Sequence, residues 1–169
     1  MKKMPIFFLL FISIFFAVGF LVLGSGLKSL NRALAAKNWH TITAVLDDVQ
    51  FITDNDSDGT AYSVDVKYSY VIGHQRYQGD NLSFGYSASS GRTAHYEIYE
   101  KLKSAKQVQV RYNPEDPNQS TLTYGANRSH FISIAFGVTW LLFVTGFTVL
   151  ILLFGQNDNG LLKNLIIIE

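Results

Sequence analysis

Two long stretches without a charged residue bracket this sequence. Pro5 to Leu27 gives 23 such residues (PIFFLLFISIFFAVGFLVLGSGL), and Phe131 to Phe154 gives 24 (FISIAFGVTWLLFVTGFTVLILLF). A helix rising about 1.5 Å per residue needs roughly 20 residues to cross a hydrocarbon core of about 30 Å, and both runs exceed that. Both are apolar on every face, so neither suits a water–protein boundary, and a chain of 169 residues has little other mass with which to enclose them. The expectation is therefore two membrane-spanning helices, 5–27 and 131–154. Around them lie a short basic tail 1–4, a helical juxtamembrane extension 28–38, a folded domain 39–126 and a tail 155–169. A cleaved signal peptide is the alternative for the first run, since Lys2 and Lys3 precede it and Ala33-Leu34-Ala35 has the small-x-small form of a cleavage site. The run is longer than a signal core, however, and Lys28 and Arg32 intervene before that site.

Charge limits the partners. Residues 28 to 130 hold eleven Lys or Arg against eleven Asp or Glu, so the domain is neutral and offers no electrostatic basis for nucleic-acid binding. The chain has no cysteine, which excludes disulfides, thiol catalysis and thiolate metal sites. Lys2 and Lys3 favour a cytoplasmic N-terminus, although Lys28, Arg32, Lys37 and Arg128 flank the spans on the domain side and bring the positive-inside count close to a tie. The expected arrangement is a multi-pass protein of a bacterial inner or plasma membrane, with both termini inside and the domain outside. Leu30, Ala33 and Leu34 would share one face of the juxtamembrane extension, leaving Lys28, Arg32 and Lys37 to reach lipid headgroups. Ser13 with Ala17, and Ala135 with Thr139, are small-residue pairs four apart that would permit close helix contact.

Between the apolar runs the pattern changes to period-two alternation, the signature of strands with one buried face. Tyr62, Val64, Val66, Tyr68 and Tyr70 fall on one side of YSVDVKYSY, with Ser63, Asp65, Lys67 and Ser69 on the other. Thr41 to Thr53 is the expected hairpin partner, joined through Asp54 to Gly59. Ile72-Gly73-His74 predicts the next tight turn, leading into a strand through Tyr77 and Leu82. A helix to about Lys103 is predicted from Ala94, Ile98 and Leu102, with Tyr99 beside them and Ser89 or Ser90 as N-cap. Val108 to Tyr112 is a further strand, ended by Asn113-Pro114 and Asp116-Pro117, and Ser120 to Tyr124 is a last short one. The fold class is α+β: two transmembrane helices flanking a small, mainly antiparallel β domain with one short helix, a partly open barrel being one form it could take.

Several motifs resemble the family of domains of unknown function numbered 3592. They are Trp39 just after a first membrane helix, the VxYxY strand Val66 to Tyr70, Gly73, Tyr77 and Gly79 in Gly-x-x-x-Tyr-x-Gly, and VxVxYNPxDP with Ser-x-Leu (Val108 to Pro117, Ser120, Leu122). His40 stands where that family often has proline, and Ala44 where a glycine is common. The resemblance implies a small β domain beside membrane helices and supplies no chemistry.

Residues that could carry chemistry have plainer roles open to them. His40, His74, His95 and His130 share no metal-ligand spacing and read as scattered surface histidines. Ser87, Ser89 and Ser90 beside Gly91 lack a Gly-x-Ser-x-Gly elbow and suit capping and turn roles. Glu97, Glu100 and Glu115 with Asp116 are expected on solvated surface, and Tyr96, Tyr99, Tyr112 and Tyr124 in the core or at the membrane interface. Tyr112-Asn113-Pro114-Glu115-Asp116-Pro117 predicts a rigid turn, which either sets the angle between the last strands or presents Asn113, Glu115 and Asp116 for recognition. Asp54, Asp56 and Asp58, with Gly59 at position 6 and Asp65 at position 12, follow the calcium-loop pattern; an acidic hairpin loop without metal is the other reading. No other cofactor is indicated. The expected function is non-catalytic: a protein-interaction or modulator subunit in the bilayer, contacting another membrane protein or a second copy. A calcium-dependent sensor or adhesion module and a membrane-surface hydrolase are the competing classes.

Overall fold

The computed structural model describes residues 6–154. The order of elements is α1 (Ile6–Ala35), a 3-10 turn (Ala36–Asn38), β1 (His40–Asp56), β2 (Gly59–Ile72), β3 (Gln75–Gly79), α2 (Arg92–Lys103), β4 (Gln107–Asn113), β5 (Asp116–Thr121) and α3 (Arg128–Phe154). Contacts divide the chain into two units, one holding residues 6–24 and 133–154, the other Ser25–Ile132. The tails 1–4 and 155–169, with Pro5 at the start of the expected first span, lie outside the described residues.

In the first unit, α1 and α3 are long and apolar enough to cross a membrane. They meet at glycines. A methyl group on Gly137 would come within 2.9 Å of the Leu23 backbone, and one on Gly19 within 2.6 Å of the Leu141 side chain, so the absence of Cβ sets the approach. The pairs singled out by spacing do not make this contact: Ser13, Ala17, Ala135 and Thr139 are all exposed. Spacing of four identifies a shared face but not which face meets the neighbour. Trp140 Nε1 donates to Phe15 O at 2.9 Å, which satisfies the one polar atom of the indole.

The second unit is built on a five-stranded antiparallel sheet of order β3-β2-β1-β4-β5. The expected alternation along β2 holds on its inner face: Val64, Val66, Tyr68 and Tyr70 are buried and cluster with Ala44, Leu82 and Val110 as the core, and Tyr62 is half-buried, while on the other face Ser69 is buried as well. Two-residue turns join β1 to β2 (Ser57-Asp58) and β2 to β3 (Gly73-His74), the latter with Gly73 at φ +63°, where a side chain would be strained. Asp47 is the extra residue of a bulge in β1, and its carboxylate accepts from Ser69 Oγ at 3.2 Å and lies 3.8 Å from Arg76.

The sheet is not a closed barrel, since β3 and β5 remain its edges. It curls enough for those edges to approach each other, and the segments after them bond across the gap. Leu122 N–H donates to Asn81 O at 3.1 Å and Thr123 N–H to Leu82 O at 3.0 Å. The Tyr68 hydroxyl donates to Asn81 O and is 3.1 Å from Ser120 Oγ on the same seam, and the Tyr70 hydroxyl donates to Pro117 O.

Asp116-Pro117 opens β5, whereas the sequence reading had both proline steps ending a strand. Proline is tolerated there because an edge strand can spare an N–H. The turn is Pro114-Glu115, braced by Asn113 Oδ1 accepting from Glu115 N–H and by Asp116 accepting from Asn118 N–H and Gln119 Nε2.

Helix α2 packs on β1 and β2. Its inward residues are His95, Ile98, Tyr99 and Leu102: the predicted Ile98, Tyr99 and Leu102 face the sheet, while Ala94 is exposed and His95 takes the inward place in the first turn. Its N-cap is Gly91 and makes no side-chain cap bond. Neither Ser89 nor Ser90 caps it.

Candidate functional site

Two sites follow from the Ser25–Ile132 unit. The first is a histidine where a solvated one was expected. His95 is only 6% exposed, and both ring nitrogens are engaged: Nδ1 is 2.6 Å from the Tyr86 hydroxyl and Nε2 is 2.7 Å from Ser89 Oγ. Tyr86 is held in turn by Val64 N–H, which donates to its oxygen at 2.9 Å. Ser89 is pinned to the outer edge of β2 by two backbone bonds with Tyr62, at 2.8 and 3.1 Å. Serine, imidazole and an orienting group within hydrogen-bond reach is the geometry of an activated nucleophile. The electrostatics differ from that case. Burial holds the imidazole below the ordinary histidine value and pushes the Tyr86 phenol up, so both are neutral at neutral pH. A neutral phenol cannot stabilise an imidazolium as a carboxylate does. The cluster ties α2 to the hairpin.

The second site is an open cleft of about 670 Å³. One wall is α1, where Ser25, Lys28, Ser29 and Arg32 recur at i, i+3, i+4 and i+7 and share a face. The other wall comes from residues 78–86 and 118–120. Lys28 and Arg32 therefore border the β domain's own loops. Asp80 is the one carboxylate in the lining. The amides opposite are partly committed: Asn81 Nδ2 donates to Ser120 O at 3.2 Å and Gln119 Nε2 to Asp116 Oδ2 at 2.8 Å. Ser89 and His95 do not line it. A smaller cleft of about 410 Å³ is bordered by Asp47, Lys67, Arg76 and Asp80, whose charges balance.

Behind the larger cleft lies His130, also predicted as a surface residue and in fact 1% exposed. Its Nδ1 accepts from Asn127 N–H at 3.0 Å, which leaves the proton of the neutral ring on Nε2. That Nε2 and Ser29 Oγ are buried without a hydrogen-bond partner. Both converge on Gly85, where a methyl group would stand 2.7 Å from the one and 2.6 Å from the other, and Gly85 at φ +73° favours glycine in any case. The 25/28/29/32 stripe was visible in the sequence as spacing; the histidines' burial was not, because it depends on how the loop carrying Gly85, Tyr86 and Ser89 folds back against them.

The aspartates of the calcium pattern do not converge. Asp54 pairs with Ala61 and Asp56 with Gly59 in regular ladder register, while Asp65 stands opposite Gln50. Four residues of extended strand separate Asp65 from the partner of Asp54, about 13 Å. Among the described residues no three His, Cys, Asp or Glu side chains are placed to hold a metal ion.

The model of a domain of unknown function, DUF3592, matches residues 40–127, just over half of the chain. This chain belongs to that family. The DUF3592 region contains the whole sheet and α2 but begins after the stripe on α1, so the cleft takes one wall from the DUF3592 domain and the other from the juxtamembrane helix. No curated protein matches the sequence.

Proposed function

We propose that this DUF3592 protein crosses a membrane with α1 and α3, holds its β domain on the extracytoplasmic side, and acts there without catalysis as a binding module that modulates another membrane protein. The observation that carries the reading is the separation of two kinds of chemistry. The cleft able to receive a ligand is lined mainly by cations, hydroxyls and amides with one carboxylate, Asp80; Tyr86 borders it, but the serine–histidine pair that Tyr86 contacts lies outside it and its histidine is a weakened base. A cleft lined chiefly by hydrogen-bond donors, with the serine–histidine pair elsewhere, suits recognition. Attachment at both ends restricts the domain's height and orientation over the bilayer, which suits a subunit that meets its partner at the membrane face.

The chain's lack of cysteine gives a direct test. Single cysteines at Ser57, Glu115 and Asn118 are expected to react with a membrane-impermeant maleimide from outside intact cells, while reporters fused before Met1 and after Glu169 report cytoplasm. Cross-linking from these positions in native membranes should give a discrete adduct with a membrane protein or a second copy, undiminished by His95→Gln. Labelling only after permeabilisation would overturn the orientation. Absence of adducts from all three positions would overturn the modulator role.

A further inference from the structure

We infer that the cleft between α1 and the 78–86 segment is a site for a phosphate ester, with the headgroup phosphate of a membrane lipid as its source. The inference rests on the binding-module reading and names its ligand. The donor set points to an anion. Lys28 and Arg32 contribute two cations one turn apart on the cleft face, against the single carboxylate of Asp80. Among the lining residues, Ser29 Oγ is a buried polar atom without a hydrogen-bond partner. A buried donor without an acceptor is uncommon in folded proteins, and this one shares its helix face with the two cations. A phosphate ester supplies what this group lacks, a cluster of anionic acceptor oxygens. The location favours a lipid, because Lys28 directly follows the uncharged run and so stands where the chain would leave the hydrocarbon layer.

The measurement uses the full chain in an uncharged detergent. Its thermal midpoint and lipid retention in native mass spectra are followed against short-chain phosphatidylglycerol, sn-glycerol 3-phosphate, inorganic phosphate and an uncharged diacylglycerol. Phosphatidylglycerol should bind and raise the midpoint, and diacylglycerol should not. Lys28→Gln with Arg32→Gln should weaken the lipid about tenfold, whereas Lys37→Gln with Arg128→Gln, equally basic and outside the cleft, should leave it unchanged. Ser29→Ala removes an unpartnered hydroxyl, so it should leave the ligand-free midpoint level or higher and still reduce the response to phosphate. A response to phosphatidylglycerol alone assigns the source to lipid; one that extends to glycerol phosphate or inorganic phosphate keeps the phosphate site but assigns it to soluble esters. Equal binding of diacylglycerol, or equal loss in the two double variants, overturns the site. Phosphate binding without any cross-linked partner would leave this inference standing and remove the modulator role; the reverse result would do the opposite.

Discussion

Tyr68 shows how a single side chain closes this domain. It is fully buried, its hydroxyl reaches Ser120 and Asn81 across the seam, and burial pushes its phenol up to about 12, so it remains a donor throughout the ordinary pH range. Tyr68→Phe should cost about 1–3 kcal/mol in chemical denaturation by leaving those buried partners unsatisfied. Val110→Asp, on the same core, should cost several kcal/mol and prevent folding, whereas Lys67→Asp on the exposed side should be mild; protease resistance would rank them. His95 adds a pH dependence of known sign. Its folded value lies below the ordinary 6.5, so the unfolded chain binds more protons between the two values. Stability from this group is full above 6.5 and falls as pH drops towards the folded value. His95→Gln should flatten that decline in thermal melts. Alternation alone revealed Tyr68 and Val110. It could not reveal His95, whose burial depends on Ser89 docking onto Tyr62 and on Tyr86 folding back to Val64.

At the scale of elements, legibility followed how local the cause was. The two hairpin turns at 57–58 and 73–74 are short-range chemistry and were readable. The first inward position of α2 was not, because Ala94 and His95 both satisfy helical spacing with Ile98, Tyr99 and Leu102, and only the hairpin beneath decides which one turns inward. The β1–β2 hairpin carries the clearest element-level prediction. Beyond Val45, β1 has no strand on its outer side, and most of the distal half of β2 is equally uncovered. Charges on such an edge discourage pairing with other chains, which accounts for Asp54, Asp56 and Asp58 without a metal. Calcium at millimolar concentration should therefore leave the domain's melting midpoint unmoved. A rise abolished by Asp56→Ala with Asp58→Ala would restore the calcium reading.

For the whole molecule, the stretch from Ser25 to Ile132 is the natural unit of folding. Ala33 and Ala36 are fully buried, and Arg111 donates to Lys37 O at 2.7 Å while its guanidinium lies 4.0 Å from the Tyr124 ring centre. A fragment 25–132 should accordingly melt cooperatively and at a higher temperature than a fragment 39–126, which lacks the helical turns that cover this side. One bond in that region has a mechanical meaning. Gly125 N–H donates to Ala33 O at 2.8 Å, joining the chain's way into the domain to its way out. Within this unit, a force drawing the two long apolar helices apart would load this bond before the Asn81–Leu122 and Leu82–Thr123 pair. The load would be carried by main-chain hydrogen bonds at the mouth of the domain, and the packed side chains behind them would be spared until that clasp gave way.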